Sequence, residues 1–116
     1  MNREILFRGK KIDNGEWIEG SLITTKYNYY IVPIVDETIK ALTYISVIPE
    51  TVGQYVNHID KQGNKVFEND TFIDQTITWS DETNGFYLKD KYGEEYHEKL
   101  EELHIREITG NIYDKN

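Results

Sequence analysis

Turn-forming residues cut this 116-residue chain into runs that leave room for little besides short β-strands. Asn14-Gly15 and Asn84-Gly85 each stand between apolar and polar residues in alternation. Asn-Gly tolerates the positive φ angles that a tight type I′ hairpin turn demands. Gly9, Gly20, Gly53, Gly63, Gly93, Gly110, Pro33 and Pro49 punctuate the rest. The runs between them predict strands over Glu4–Arg8, Trp17–Thr24, Tyr27–Ile34, Thr43–Ile48, Lys65–Phe67, Thr71–Ser80, Phe86–Leu88 and Ile105–Tyr113, the last interrupted by Gly110. In Thr71–Ser80 the alternation assigns Ile73, Ile77 and Trp79 to the core face. Gly20 inside a strand marks a bulge or a close backbone approach, and Pro33 places the end of its strand at a sheet edge. Asp36–Leu42 is polar and reads as a loop or a single helical turn. Glu94–Leu103 is the one helix expected: it holds good helix formers, and Tyr96, Leu100 and Leu103 make one stripe. A composition shift across Asn57–Asn64 sets a soft boundary between residues 1–58 and 59–116. The expected fold is mainly β, two small lobes of one unit built as barrels or sandwiches, with one short helix.

Composition narrows the classes further. Nine Tyr, four Phe and two Trp give too much aromatic content for a disordered chain. No apolar run approaches the roughly 20 residues of a membrane-spanning helix, so no membrane is expected. The chain has no cysteine, so disulfides, thiolate metal sites and thiol nucleophiles are excluded. A disulfide-free domain this small, with no apolar leader after Met1, is expected in the cytoplasm. The formal net charge is -8 and it is uneven: residues 1–58 hold 7 acids and 6 bases, residues 59–116 hold 14 acids and 7 bases. Arg3, Arg8, Lys10 and Lys11 cluster near the start, so a basic edge and an acidic end are expected, most of it solvated surface.

The chemistry-bearing residues form no recognisable catalytic pattern, and no enzyme, metal or cofactor is expected. His97 and His104 are seven apart, about 10 Å along a helix and too far to share one ion. His58 stands alone. Ser21, Ser46 and Ser80 sit in no nucleophile elbow. Carboxylates such as Asp74 and Asp81 carry no specificity in an acidic chain, and Glu94, Glu95, Glu98, Glu101 and Glu102 lack calcium-loop spacing. The glycines match no phosphate-binding loop. Lys26-Tyr27-Asn28-Tyr29-Tyr30 interleaves a base with aromatics, as single-strand binding sites do, and a net charge of -8 opposes that use. Alternation puts Tyr27 and Tyr29 on one face and Tyr30 on the other. Trp17, Tyr27, Tyr29 and Tyr30 are the candidate partner-binding residues, since Tyr and Trp anchor protein interfaces. The expected partner is a protein, or a second copy pairing through exposed strand edges. Glu107 and the glutamates of 94–102 offer an acidic end that would steer a basic partner, or mimic nucleic-acid phosphates.

Four separated blocks, in order, resemble the YopX family. They are Arg3-Glu4-Ile5-Leu6-Phe7-Arg8-Gly9-Lys10 with Asn14-Gly15-Glu16-Trp17; Val47-Ile48-Pro49-Glu50-Thr51-Val52-Gly53-Gln54-Tyr55; Asp60-Lys61-Gln62-Gly63-Asn64-Lys65-Val66-Phe67-Glu68-Asn69-Asp70; and Ile108-Thr109-Gly110-Asn111-Ile112-Tyr113. Asn69 stands where the family usually has glycine, and Asn also tolerates the left-handed conformation. The stretch 71–105 matches more loosely. The resemblance implies a small protein of bacteriophages and prophages, acting in the host cytoplasm, mainly β, with an SH3-like barrel in its C-terminal part. It implies no biochemical activity. The Gly, Pro and aromatic residues of the blocks are expected to set turns and core.

Overall fold

A computed structural model describes residues 3–33 and 43–114, without the side chains of 97–99. The Asp36–Leu42 segment lies outside the described residues. The chain is mainly β, as expected, and divides into two compact units, Met1–Gln54 and Tyr55–Asn116. The division falls inside a strand, a few residues before the composition shift at 57–64. Among the described residues no helix is long and apolar enough to cross a membrane.

The first unit is an antiparallel meander of β1 (Phe7–Lys10), β2 (Trp17–Thr24), β3 (Tyr29–Val32) and β4 (Ile45–Val47). Its ladder closes on itself. Lys11 bridges Val47, the Ile12 N–H donates to the Ser46 carbonyl (3.1 Å), and the Ile48 N–H donates to the Lys10 carbonyl (2.8 Å). Farther along, β5 (Gly53–Ile59) opens by pairing Gly53 and Gln54 with Arg8 and Phe7. The stretch 46–54 is thus one antiparallel partner of β1, broken by a 3₁₀ turn at Pro49–Thr51. Thr51 mends that break. Its buried hydroxyl accepts from the Lys10 N–H (2.9 Å) and donates to the Ile48 carbonyl (2.6 Å).

Register places Phe7, Gly9, Ile18, Gly20, Leu22, Tyr29, Ile31, Ile45 and Val47 on one face, which holds the buried Ile31 and Val47. The interior is tight enough to require glycine. A Cβ on Gly20 would lie 2.2 Å from the Val32 carbonyl oxygen, and one on Gly9 would lie 3.1 Å from Val47 Cβ. The close backbone approach expected at Gly20 is what the fold uses.

In the second unit β5 continues against β6 (Lys65–Phe67), with a register shift between Tyr55 and Ile59 that spans Asn57 at φ +61. Then come β7 (Asp70–Phe72), β8 (Gln75–Ser80), β9 (Gly85–Asp90), β10 (Glu95–Tyr96), a 3₁₀ helix at His97–Ile105 and β11 (Gly110–Asn111). The last five strands form a sheet in the order β10-β9-β8-β7-β11, so the final strand returns to the first of the meander. The core is Val56, Val66, Phe72, Ile77, Leu88 and Leu103, with Phe86, Tyr96, Leu100 and Ile108 packed on it.

Several local expectations are corrected. Thr71–Ser80 is not one strand: the chain reverses at Ile73-Asp74, where Asp74 takes φ +64 and Phe72 pairs with Gln75. That turn buries Phe72 and leaves Ile73 74% exposed. Ile77 is buried and Trp79 shares its face, but at the strand end, where it stays partly exposed. Neither Asn-Gly forms a type I′ turn. Each hairpin has a longer loop in which only one residue has positive φ, Gly15 at +73 and Asn84 at +53, and a single left-handed residue closes such a loop. The expected helix starts later and is wound 3₁₀. Tyr96 lies in β10 instead, because the Asp90 carboxylate accepts from the Tyr92 and Glu94 N–H groups and from the Tyr96 hydroxyl, which turns the chain back into the ladder. At three residues per turn Leu100 and Leu103 eclipse one another, and both reach the core. The closing strand is only Gly110–Asn111.

Candidate partner-binding surface

On β1 and β2 the residues facing away from the first unit's buried face are Arg8, Lys10, Trp17, Glu19, Ser21 and Ile23. Trp17 stands opposite Lys10 in the ladder. The Arg8 guanidinium carbon lies 4.3 Å from the Trp17 ring centroid, and the Lys10 ammonium lies 5.3 Å from it. Both distances are within cation–π range. Lys10 is buried at 8% exposure and Arg8 half-buried, so these two cations of the expected basic cluster pack on the indole rather than standing free at an edge.

The same face continues across β3 to Tyr30, paired with Ile23 on one side and Ser46 on the other. Tyr44 meets Tyr30 edge-on, with ring centroids 6.2 Å apart. Beside Tyr44 lies a cleft of about 320 Å³ lined by Ile12, Asp13, Tyr44, Ile45 and Ser46. Ile12 is 61% exposed and Tyr44 52%. This apolar rim exists because the closure of β1 on β4 carries Ile12 to Ser46, across more than thirty residues of chain.

The four candidate residues are not gathered into one patch. Trp17 and Tyr30 share a face but sit toward opposite ends of β2. Tyr29 is on the other face, opposite Thr24 and Val47. Tyr27 is on no strand: Thr25 and Asn28 close a turn through the Asn28 N–H to the Thr25 hydroxyl (3.1 Å), and Tyr27 projects from it 78% exposed, with the Lys26 ammonium 5.3 Å from its ring. Sequence reasoning did not single out Tyr44 or Ile12. The signal for them would have been register, since pairing Ile31 with Ile45 and Lys11 with Val47 brings both to one cleft.

The charged groups of the second unit hold turns. Asp60 is buried, and its carboxylate accepts from the N–H groups of Gln62 (2.9 Å), Asn64 (2.8 Å) and Ile108 (3.2 Å). Burial pushes its pKa up. The backbone bonds from Asn64 and Ile108, with the Asn64 side chain and Gln62, outweigh that and hold it below the ordinary value. Asp70, also buried, accepts from the Phe67 N–H (2.8 Å) and the Asn111 side-chain amide (2.9 Å). Asn69 beside it takes φ +74. Asp90 is likewise held low: desolvation opposes, and the Glu94 and Tyr92 N–H groups and the Tyr96 hydroxyl prevail. Its charge raises the Tyr96 hydroxyl in turn, first through their hydrogen bond.

Asp74 and Asp81 flank β8 at opposite ends, about 20 Å apart by strand rise, and Asp81 accepts from the Trp79 indole N–H (2.8 Å). Among the described residues no three of His, Asp or Glu are placed to hold a metal ion. A second cleft, about 240 Å³, is polar and lined by Thr71, Gln75, Thr76, Lys89 and Lys91 with Asp74 and Asp90. Glu94, Glu95, Glu101, Glu102 and Glu107 are exposed, and Glu107 pairs loosely with Lys61 at 3.8 Å.

None of the family models, curated proteins or solved structures compared with this chain matches it. What the fold does with the four sequence blocks is plain from its hydrogen bonds. The opening block pairs with the Val47–Tyr55 block through Lys11–Val47, Lys10–Thr51 and Phe7–Gln54. The Asp60–Asp70 block is stitched to the Ile108–Tyr113 block through Asp60–Ile108, Asp70–Asn111 and the Asn69 carbonyl accepting from the Ile112 N–H (3.1 Å).

Proposed function

We propose that this chain is a YopX-like, phage- or prophage-encoded interaction module without catalytic activity, acting in the host cytoplasm and binding a protein partner through the aromatic face of its first unit. The observation that carries this reading is the cleft rimmed by Ile12 and Tyr44, each more than half exposed on a face that also presents Tyr30 and Ile23. Large apolar side chains gathered at a concave site are what a partner's anchor residue fills. The family reading rests on the four sequence blocks. The second unit's order of meander, 3₁₀ segment and returning strand is in keeping with an SH3-like half.

The test is affinity capture from host cells with the wild type and with an Ile12→Ser, Tyr44→Ala variant shown to fold by circular dichroism. The wild type should retain a protein that the variant loses. Identical captures, or none above a tag control, would remove the support. Light scattering over a concentration series separates a host partner from a second copy.

A second reading has its own observation. The half-buried Arg8 over the half-buried Trp17 joins a cation to an aromatic ring, as sites for single-stranded nucleic acid do. It predicts a gel shift lost in Trp17→Ala and weakened steeply by salt.

A further inference from the structure

The chain contains two Asn-Gly dipeptides. They have the same local chemistry: no Cβ on the following residue hinders approach of its nitrogen to the asparagine side chain. The structure treats them differently. Asn14 is held. Its side-chain oxygen accepts from the Glu16 N–H (2.9 Å), and the Gly15 N–H donates to the Lys11 carbonyl (2.9 Å). Ring closure at Asn14 must break both bonds and disturb the loop that runs on from Lys11, the residue bridged to Val47.

Asn84 has no such side-chain anchor; Gly85 is held as the terminal rung of the β8–β9 ladder, paired with Ser80, so ring closure there needs only that last rung to open. Asn84 is exposed, as are all four residues of the Asp81–Asn84 loop. The loop's side-chain bonds are the Thr83 N–H to the Ser80 hydroxyl (3.3 Å) and the Asp81 carboxylate to Trp79; neither engages the Asn84 amide. Space and exposure do not separate the sites, since both asparagines are exposed and a Cβ on Gly15 or Gly85 would meet nothing nearer than 4.0 Å; the side-chain bond does. Asn84 closes the loop as its one left-handed residue, at φ +53. The hairpin end is where a ladder frays first.

From this contrast we infer that Asn84 is a spontaneous modification site, converting to aspartate and isoaspartate in the folded protein while Asn14 is protected. The Gly85 amide nitrogen gives up its proton to solvent base and attacks Asn84 Cγ. A new C–N bond closes a succinimide ring, the bond from Cγ to Nδ2 breaks, and that nitrogen leaves as ammonia. Water then adds to one of the two ring carbonyls and opens the ring. Opening at the original backbone carbonyl leaves isoaspartate, with the chain running through the side-chain carbon. Opening at Cγ leaves aspartate. Either product adds a negative charge beside Asp81 and Glu82. Isoaspartate also lengthens a loop that must join Ser80 to Gly85 in register.

The experiment incubates the full folded chain at mildly alkaline pH and follows it by peptide mapping with mass spectrometry. Isoaspartate is read by enzymatic methylation. The expected result is replacement of amide nitrogen by oxygen at Asn84, running well ahead of Asn14. In chain unfolded by guanidinium the two sites should react at similar rates, which shows that the fold makes the difference. Gly85→Ala should slow the Asn84 reaction roughly tenfold, a rise of about 1.4 kcal/mol in barrier. This variant introduces no backbone strain, because Gly85 does not use the left-handed region and the space for a methyl is open. Equal rates at Asn14 and Asn84 in the folded protein, or conversion at Asn84 only after unfolding, would overturn the inference.

Discussion

Removing one buried hydroxyl tests how the first unit closes. Thr51 is 6% exposed, and its Oγ1 is the acceptor for the Lys10 N–H, 41 residues away. Thr51→Val keeps the shape and deletes the acceptor. The two bonds lost are unequal. The Ile48 carbonyl that received the hydroxyl proton still accepts from the Thr51 N–H (3.0 Å) and keeps a partner. The Lys10 N–H, at the 3₁₀ interruption, loses the acceptor that the Thr51 hydroxyl supplies. A buried donor left unsatisfied costs about 1–3 kcal/mol. Thr51→Ser keeps the hydroxyl and removes a methyl, a loss of about 0.8 kcal/mol. The valine variant should therefore be the less stable of the two, although it is the closer in shape. At about 2 kcal/mol its melting temperature should fall by roughly 6–12 °C. Urea unfolding followed through Trp17, in a Trp79→Phe background so that the signal comes from the first unit, measures the difference. Amide exchange at Lys10 reads the bond itself and should accelerate in the valine variant alone. If Thr51→Val were as stable as Thr51→Ser with Lys10 exchange unchanged, the hydroxyl would not be what mends the ladder.

Three further outcomes follow from the same geometry. Gly20→Ala should destabilise by more than about 3 kcal/mol, because its methyl would stand 2.2 Å from a backbone oxygen, whereas Gly85→Ala, with open space, should stay within about 0.5 kcal/mol of wild type; urea midpoints compare them. Asp60 has a folded pKa below its ordinary 3.8, so its stabilisation is complete above that value and is lost as pH falls through it toward the folded pKa. Wild type should therefore lose stability between about pH 5 and 3 more steeply than Asp60→Asn, in denaturation series run at each pH. Asn111→Ala should release the last strand by removing the donor to Asp70, seen as faster amide exchange at Thr109 and Ile112 with little change at Ile31.

Much of the fold was legible because its signals are local. Alternation, β-branched and aromatic runs and turn residues identified β2 and placed the cores of β3, β4 and β8, since each depends on neighbours a few residues away. Gly15, Gly63 and Gly93 all take positive φ where turns were expected. Alternation failed at Ile73. A two-residue turn carries no apolar signature of its own, and a run of ten residues reads the same with or without it. The 94–103 stripe was sound in its apolar residues and wrong in pitch: Leu100 and Leu103 reach the core, but their spacing of three suits a 3₁₀ segment as well as an α-helix. The candidate surface was legible in residue type only. An exposed tyrosine and a half-buried one look alike until the strand beside them is known, so Tyr27 and Tyr29 could not be told apart, and Tyr44 drew no notice.

The amino-acid order alone determined that this chain is β-rich, where it turns, and that disulfides and thiolate sites are closed to it. Tertiary structure alone decided that β1 would be clasped on both sides, that Asp60 would reach a backbone amide 48 residues on, and that Ile12 would meet Tyr44 at one cleft. The physical reason is range. Backbone preference is set by a residue and its immediate neighbours, whereas burial and hydrogen-bond satisfaction are set by whatever the closed ladder brings alongside.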